Sequence, residues 1–235
     1  METLPDALAL AQTMVDIGKL AGKPVVAVIT SMAQPLGTHI GNALEVKDAI
    51  DVLAGRTQGD LLEISLLLGS HMLVLAEKAK TLPEARAMLE NALSSGAGLR
   101  KLAEMIAAQG GDLRVVEDLS LLPQAAVKRV MRAETAGYLS AMDTTALGMA
   151  AQRMGAGRAK KSDMLDYSVG YVLHVRLGDE VTEDTPLATL YARNEAEAEE
   201  AEKAIRKALT IAKEKPSVPP LWDAVVTAEG ITYNR

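Results

Sequence analysis

The chain has 235 residues, of which 49% are hydrophobic, 24% are charged and only 3% are aromatic. This composition is ordinary for a globular protein whose core is built from aliphatic side chains. The net charge of −6 argues against a nucleic-acid polymer as partner, because such binders present a basic face. Without cysteine there are no disulfides and no thiolate metal sites. Because no signal peptide is recognisable and no apolar run approaches the ~20 residues that span a bilayer, we expect a cytoplasmic protein with no membrane attachment.

The first elements of the chain predict half of an α/β unit. Apolar residues recur at helical spacing over residues 4–18, after a capping box formed by Thr3 and Asp6. Residues 25–30, VVAVIT, form a continuous β-branched run that is typical of a parallel strand buried on both faces. We expect the partner strand to precede Met1. The apolar edge left exposed would then invite self-association or a complementing N-terminal half.

The next part of the sequence predicts one tight loop and a series of helices. Pro35, Gly37 and Gly41 mark the loop. Helical periodicity follows over residues 42–53, 60–80, 83–93 and 99–108. After about residue 126 the pattern changes to short strands, with a helix that ends near Gly155 and another over residues 194–212. We therefore predict an α/β domain over residues 1–120 and an α+β domain over residues 121–235.

Three stretches resemble the pyrimidine-nucleoside phosphorylase and thymidine phosphorylase family. Residues 34–55, QPLGTHIGNALEVKDAIDVLAG, are close to the family stretch Q-P-L-G-x-x-x-G-N-A-L-E-V. Residues 133–158 and 160–181 resemble two later family stretches, in the same order. The resemblance covers essentially the whole chain and implies the C-terminal part of the family. It implies a fold of class α/β plus α+β: a partial phosphorylase α/β domain, then an α+β domain with a barrel-sandwich or hammerhead-like sheet.

The resemblance implies phosphorolysis, in which phosphate attacks the anomeric carbon of uridine or thymidine and releases the free base and a sugar 1-phosphate. Such a reaction needs an anion cradle and donors that stabilise charge on the departing base. In the family these groups are a Lys-His-Ser-Thr-Gly-Gly type loop and an Arg, a Ser and a Lys, which we expect to precede Met1. We therefore expect no catalytic residue here and no turnover by the chain alone. The preference for uridine or thymidine stays open.

The resemblance also implies half of a potassium site. The matching positions are the backbone carbonyls of Leu36 and His39 and the carboxylate of Asp48, and hard oxygen donors suit such an ion. The family usually has a small residue at position 39 and Glu at position 48, so a shorter carboxylate would hold the ion differently. The alternative is a structural loop with Asp48 on a solvated helix face. No organic cofactor is implied.

Other candidate residues are better explained by structure than by chemistry. A general base at His39 has no orienting partner recognisable in the sequence, which favours a loop histidine. His71 is expected to pack within a helix, and His174 to face solvent on a strand. The turn at residues 155–158, GAGR, is the nearest substitute for a phosphate loop, but it follows a helix instead of opening one.

Three other functions were considered. Residues 170–191 resemble the hammerhead of biotinyl and lipoyl carrier domains, although the lysine that a carrier presents on a hairpin tip is missing from this stretch. A non-enzymatic split-gene subunit or interaction fragment is a second alternative. An enzyme similar to anthranilate phosphoribosyltransferase is a third, disfavoured because that family lacks the strand-rich domain expected after residue 126.

Overall fold

The computed structural model describes residues 3–234, which contain seven α-helices and ten strands. In chain order these are α1 (Leu4–Leu20), β1 (Ala27–Thr30), β2 (His39–Ile40), α2 (Asn42–Leu53), α3 (Asp60–Leu75), α4 (Leu82–Ser94), α5 (Ala97–Ala108), β3 (Val127–Arg132), β4 (Gly137–Met142), α6 (Thr144–Ala151), β5 (Gly170–Leu173), β6 (Glu180–Val181), β7 (Pro186–Ala192), α7 (Glu195–Ala208), β8 (Leu209–Ala212), β9 (Trp222–Thr227) and β10 (Gly230–Tyr233). Two 3₁₀ turns (Leu113–Val116 and Leu119–Leu121) precede β3, and a π-helical turn (Gln152–Ala156) follows α6. Within residues 3–234, no helix has the length and apolar character needed to cross a membrane.

The chain forms two compact units that alternate along the sequence. Unit 1 comprises the described residues up to Ser31, Gln58–Ser95 and the described residues from Pro219 onward. Unit 2 comprises Met32–Thr57 and Gly96–Val218. This is a division by compactness and not by family domain, so the boundary between residues 120 and 121 stays a prediction.

Unit 1 is built around α1 and a three-stranded antiparallel sheet in the order β1-β9-β10. The side-chain oxygen of Thr3 accepts a hydrogen bond from the backbone amide of Asp6 at 3.3 Å, so the predicted cap of α1 is confirmed. The buried side chains of Ala11 and Val15 on α1 pack with Val226 of β9. Helices α3 and α4 pack against each other in the same unit.

The predicted parallel strand, buried on both faces, is wrong. Strand β1 begins at Ala27, and it pairs antiparallel with β9, with Ala27 opposite Val226. All four of its residues are only partly buried. An apolar run indicates that a strand packs against a core. Whether the strand is parallel or antiparallel depends on its neighbour, which here comes from a distant part of the chain.

Unit 2 contains an antiparallel sheet in the order β2-β5-β7-β3 and a second in the order β6-β4-β8. One face of α7 covers the core of this unit through the buried side chains of Ala198, Ala201 and Ile205. Mixed helices and sheets are therefore confirmed for the fold class. The helix predicted over residues 194–212 is wrong in its last four residues, because Leu209–Ala212 pair with β4 as β8.

The helix predicted over residues 60–80 also ends early, at Leu75. Glu77 follows with a positive φ of 56°, and the amide of Lys78 donates to the carbonyl of Leu73. A left-handed residue with a hydrogen bond back into the last turn is a common way to end a helix. Helix α2 has the bounds that the sequence predicted.

His71 lies in α3, as expected, and its Nε2 is the one buried side-chain nitrogen or oxygen without a hydrogen-bond partner among residues 3–234. Burial lowers the pKa of His71 below its ordinary value of 6.5. The unfolded chain therefore binds more protons than the folded chain below about pH 6.5, and stability falls as the pH drops through that window. Above that window this histidine contributes no pH dependence.

We expect His71→Gln to make stability less sensitive to acid. The free energy of unfolding in urea, measured from pH 8 to pH 5, should differ from wild type by a constant amount above pH 7. Below pH 6.5 the wild type should lose more stability than the variant. Parallel curves across the whole range would show that His71 does not titrate differently on folding.

Candidate functional site

The loop before α2 is held to β5 through two glycines. Strand β2 pairs with β5, with His39 opposite Val172 and Ile40 opposite Tyr171. Gly41 has φ 138° and Gly170 has φ 147°, both unfavourable for other residues. A Cβ on Gly170 would lie 2.1 Å from the carbonyl oxygen of Ile40, and one on Gly41 would lie 2.4 Å from that of Val169. The two backbones therefore meet at a distance that only glycine permits.

A second set of contacts comes from the last residue of β5 and from the turn after it. The amide of Leu173 donates to the carbonyl of Thr38 at 2.8 Å, and the amide of Leu177 donates to Oε1 of Gln34 at 3.0 Å. The guanidinium of Arg176 donates from Nη1 to the carbonyl of Pro35 at 2.6 Å. Longer contacts of 3.5 Å join Nη1 to the carbonyl of Gly37 and Nη2 to the carbonyl of Leu36. Residues 34–38 are here named the ion loop. Hydrogen bonds from Leu173, Arg176 and Leu177 hold this loop along its length.

Asp48 is buried, with only 4% of its surface exposed, so the alternative of a solvated helix face is wrong. It lies on α2 one turn beyond Leu44, on the face that carries the buried residues Leu44 and Val52. One carboxylate oxygen, Oδ1, lies 3.5 Å from Nδ1 of His39. That distance is too long for a strong hydrogen bond. A buried carboxylate needs a cation or good donors nearby, which makes this side chain the chemical centre of the site.

His39 lies in a strand and not in a free loop, and it has the orienting neighbours that the sequence did not reveal. Its Nδ1 lies 3.1 Å from the hydroxyl oxygen of Thr38, in addition to the carboxylate of Asp48. Burial lowers the pKa of His39, and the negative charge of Asp48 only partly offsets this effect.

The three oxygen donors that the resemblance implies can each be located in the structure. Asp48 supplies a buried carboxylate. The carbonyl of Thr38 accepts from β5, so the carbonyl of His39, one residue along the strand, is directed to the opposite edge of β2. The carbonyl of Leu36 lies in the ion loop beside the guanidinium of Arg176. Hard oxygen donors of this kind suit potassium or sodium. Within residues 3–234 no group of three or more His, Asp or Glu side chains is placed to hold a metal ion.

The other predicted candidates serve the fold. His174 is exposed, as expected, although it follows β5 instead of lying in it, and its Nε2 lies 2.7 Å from the hydroxyl of Thr189. The glycine-rich turn at residues 155–158 ends a helix, as the sequence indicated. Its carbonyls accept from within unit 2: Gly155 from the amide of Asp166 and Ala156 from the side chain of Asn42.

A cavity of about 230 Å³ opens beside α2. Lys47 is the one charged residue among its described lining residues, which are mostly apolar. The hydroxyls of Ser120 and Ser168, which also line it, donate to Asp118 and Asp166. The cavity therefore lacks the converging donors that a phosphate requires.

Sequence reasoning missed Arg176, Gln34 and the pair Gly41 and Gly170. The residues in contact are separated by more than a hundred positions, and a single sequence carries no signal for such pairing. The positive φ of Gly170 is the one feature with a sequence trace, because an isolated glycine in a strand often marks a close backbone approach.

Comparison with known proteins places this site in a family. A model described as the glycosyl transferase family a/b domain matches residues 2–99, and one described as the pyrimidine nucleoside phosphorylase C-terminal domain matches residues 138–212. Pyrimidine-nucleoside phosphorylases from Geobacillus stearothermophilus and Bacillus subtilis are each 49% identical over 195 residues, which is 83% of this chain and 45% of the relative. The one from Staphylococcus aureus strain USA300 is 43% identical over 227 residues, covering 97% of this chain and 52% of the relative.

The chain spans about half the length of the curated relatives that it matches. The two family models lie in the same order as the predicted resemblance, one over the ion loop and α2 and the other over most of the segment from β4 to β8. Identity of 43–49% extends across nearly the whole chain. The chain belongs to the pyrimidine-nucleoside phosphorylase family.

Proposed function

We propose that this chain takes part in the phosphorolysis of pyrimidine nucleosides in the cytoplasm. Phosphate would attack the anomeric carbon of uridine or thymidine, and the products would be the free base and ribose or deoxyribose 1-phosphate. This is a pentosyl transfer that serves pyrimidine salvage. The observation that carries the proposal is the 43–49% identity to phosphorylases over 83–97% of the chain.

Within that reaction we assign the ion loop and Asp48 to a potassium site. The burial of the Asp48 carboxylate and its 3.5 Å separation from Nδ1 of His39 support this assignment, since a cation would compensate its charge. When bound, potassium would supply positive charge beside the incoming phosphate. Leu36, His39 and Asp48 would hold it through two carbonyls and one carboxylate.

We expect Asp48→Asn to weaken monovalent-cation binding by at least about tenfold, because the amide keeps the shape of the side chain and loses its charge. Thallium titration followed by ²⁰⁵Tl NMR, with potassium competition, measures the affinity. Asp48→Glu should retain binding, since it keeps the carboxylate. Asp51→Asn, on the same helix but paired with Arg56, is the matched control and should bind as the wild type does. Equal affinity for the two Asn variants would contradict the assignment.

We further propose that the chain alone does not turn over and that a complementing polypeptide supplies the phosphate-binding and base-binding groups. Phosphate binding requires several main-chain donors directed at one anion. The glycine-rich turn that comes nearest to such a cradle ends a helix instead of opening one, so its amides are not the free donors of a helix N-terminus. The relatives are about twice as long as this chain, and we assign the phosphate-binding and base-binding groups to the part of them that this chain does not match.

Exposed apolar stripes on unit 1 support a complementing partner. On α1, Leu10, Met14 and Ile17 are 47%, 52% and 60% exposed and lie three or four residues apart, on one face. On α3, Met72 is 68% exposed and continues a similar stripe with Leu68. Apolar helix faces of this kind mark contact surfaces when they are contiguous. We assign them to the polypeptide that completes the enzyme, with self-association as the competing outcome.

We also propose that the two sheets of unit 2 form the barrel-sandwich or hammerhead-like arrangement that the family resemblance implies. The antiparallel strands β4 to β8 lie within residues 138–212 or next to them, the part that matches the family's C-terminal domain. The carrier alternative is not favoured. The turn between β6 and β7 at residues 182–185 has the sequence TEDT, which offers no lysine for attachment.

The decisive experiment is a phosphorolysis assay on uridine and on thymidine, with and without potassium. The purified chain should show no turnover by itself. Addition of the polypeptide that corresponds to the unmatched half of the Bacillus subtilis relative should restore potassium-dependent turnover. Turnover by the chain alone at ordinary enzyme rates would refute the proposed incompleteness. A mixture of the two polypeptides that forms a complex but stays inactive would favour the non-enzymatic alternative. Self-association of this chain, with no binding of the second polypeptide, would assign the apolar stripes to a second copy.

A further inference from the structure

Arg176 makes contacts that neither the family models nor the sequence pattern assign. Its guanidinium reaches across from the end of β5 to the ion loop and contacts three successive carbonyls. The contact with Pro35 is 2.6 Å, and those with Leu36 and Gly37 are 3.5 Å. The guanidinium is a planar fork with five donors, so one side chain can hold several carbonyls in a fixed relation.

The backbone at Arg176 is held rigidly enough to aim this side chain. The backbone amide of Arg176 donates to Oδ2 of Asp179 at 2.7 Å. The amide of Asp179 donates in turn to the carbonyl of Arg176 at 3.1 Å. The next amide, that of Leu177, donates to the side chain of Gln34 at the start of the ion loop. The backbone next to Arg176 is therefore joined to the ion loop by a second hydrogen bond, which does not involve the guanidinium.

We propose that Arg176 is a positioning residue for the candidate potassium site. By contacting the carbonyls of Pro35 and Gly37, it holds the peptide groups before and after the Leu36–Gly37 peptide and so sets the direction of the Leu36 carbonyl. This inference rests on the ion site proposed above and adds to it a residue outside the ligand set. Removal of the guanidinium lets the loop reorient, and the ion then loses one preorganised ligand.

The positive charge of Arg176 opposes cation binding, because the guanidinium lies beside the Leu36 carbonyl, which would also face the ion. Arg176 is only partly buried, so water and salt screen the repulsion between the two cations. Positioning by direct hydrogen bonds is not screened in this way. We therefore expect the loss of the anchor to dominate over the relief of repulsion.

The test uses the full chain and measures thallium affinity by ²⁰⁵Tl NMR, a readout that needs no turnover. R176M should bind thallium at least about fivefold more weakly than the wild type. R176K should recover part of the loss, because an ammonium can still donate to one carbonyl. R176Q keeps a donor but removes the charge and should lie between wild type and R176M. R114M, which removes a surface arginine paired with Asp112, is the control and should bind as the wild type does.

The outcomes separate this inference from the function on which it rests. Wild-type chain that fails to bind thallium both alone and together with the complementing polypeptide would overturn the ion site and with it the role of Arg176. Binding by the wild type with equal or tighter binding by R176M and R176Q would overturn the role of Arg176 alone. Circular dichroism melts without ion establish that each variant is folded at the temperature of the titration. If R176M does not fold, R176Q and R176K decide the question.

Discussion

Gly170→Ala should destabilise unit 2 by about 3 kcal/mol or more and disrupt the pairing of β2 with β5. Gly170 has φ 147°, where any other residue is strained by about 1–3 kcal/mol. The new methyl carbon would also lie 2.1 Å from the carbonyl oxygen of Ile40, a backbone atom that cannot move without breaking the ladder. Urea unfolding followed by circular dichroism measures the loss of stability.

The same substitution at Gly148 is the matched control. Gly148 lies in α6, and a Cβ there meets nothing within 4 Å. Alanine is favoured over glycine inside a helix by about 0.5–1 kcal/mol, so Gly148→Ala should stabilise the protein slightly. Gly170→Ala should in addition weaken thallium binding, because β2 carries His39. A Gly170→Ala variant as stable as Gly148→Ala would mean that the two backbones do not approach as described.

Leu190→Ala should cost about 2–5 kcal/mol of stability, the range measured for large-to-small changes in well-packed cores. Leu190 is fully buried in β7, which is paired on both sides: Leu190 lies opposite Arg129 of β3 and Tyr171 of β5. Neighbours held in two ladders cannot collapse into the space left by the side chain. Chemical denaturation and the thermal midpoint both report the change.

Leu121→Ala is the control for this core substitution. Leu121 belongs to the same unit, but it lies in a 3₁₀ turn and is 43% exposed. The same loss of volume should there cost well under about 1 kcal/mol, because little apolar surface leaves a packed environment. Similar losses for Leu190→Ala and Leu121→Ala would argue that the sheet β2-β5-β7-β3 is not the core of unit 2.

The ion site illustrates how far the sequence leads. The resemblance named Leu36, His39 and Asp48, and the structure joins His39 to Asp48 through a 3.5 Å contact. Burial of Asp48 could not be read from its helix, where an acidic residue more often faces solvent. Arg176 could not be identified from a local pattern, because its contacts are with a loop that lies 141 residues earlier in the chain.

Local signals determined the helices of this protein. Capping residues such as Thr3, together with 3.6-residue periodicity, act within a few positions, so the presence and the starts of the helices can be read from the sequence, whereas the ends of α3 and α7 could not. The three stretches at residues 34–55, 133–158 and 160–181 together indicated the family.

Tertiary structure decided the direction of β1, the conversion of Leu209–Ala212 from helix to strand, the burial of Asp48 and the anchor from Arg176. Each depends on which distant segment becomes the neighbour. Strand pairing and burial are properties of contacts between segments and not of any one segment, and a single sequence specifies those contacts only through the fold as a whole.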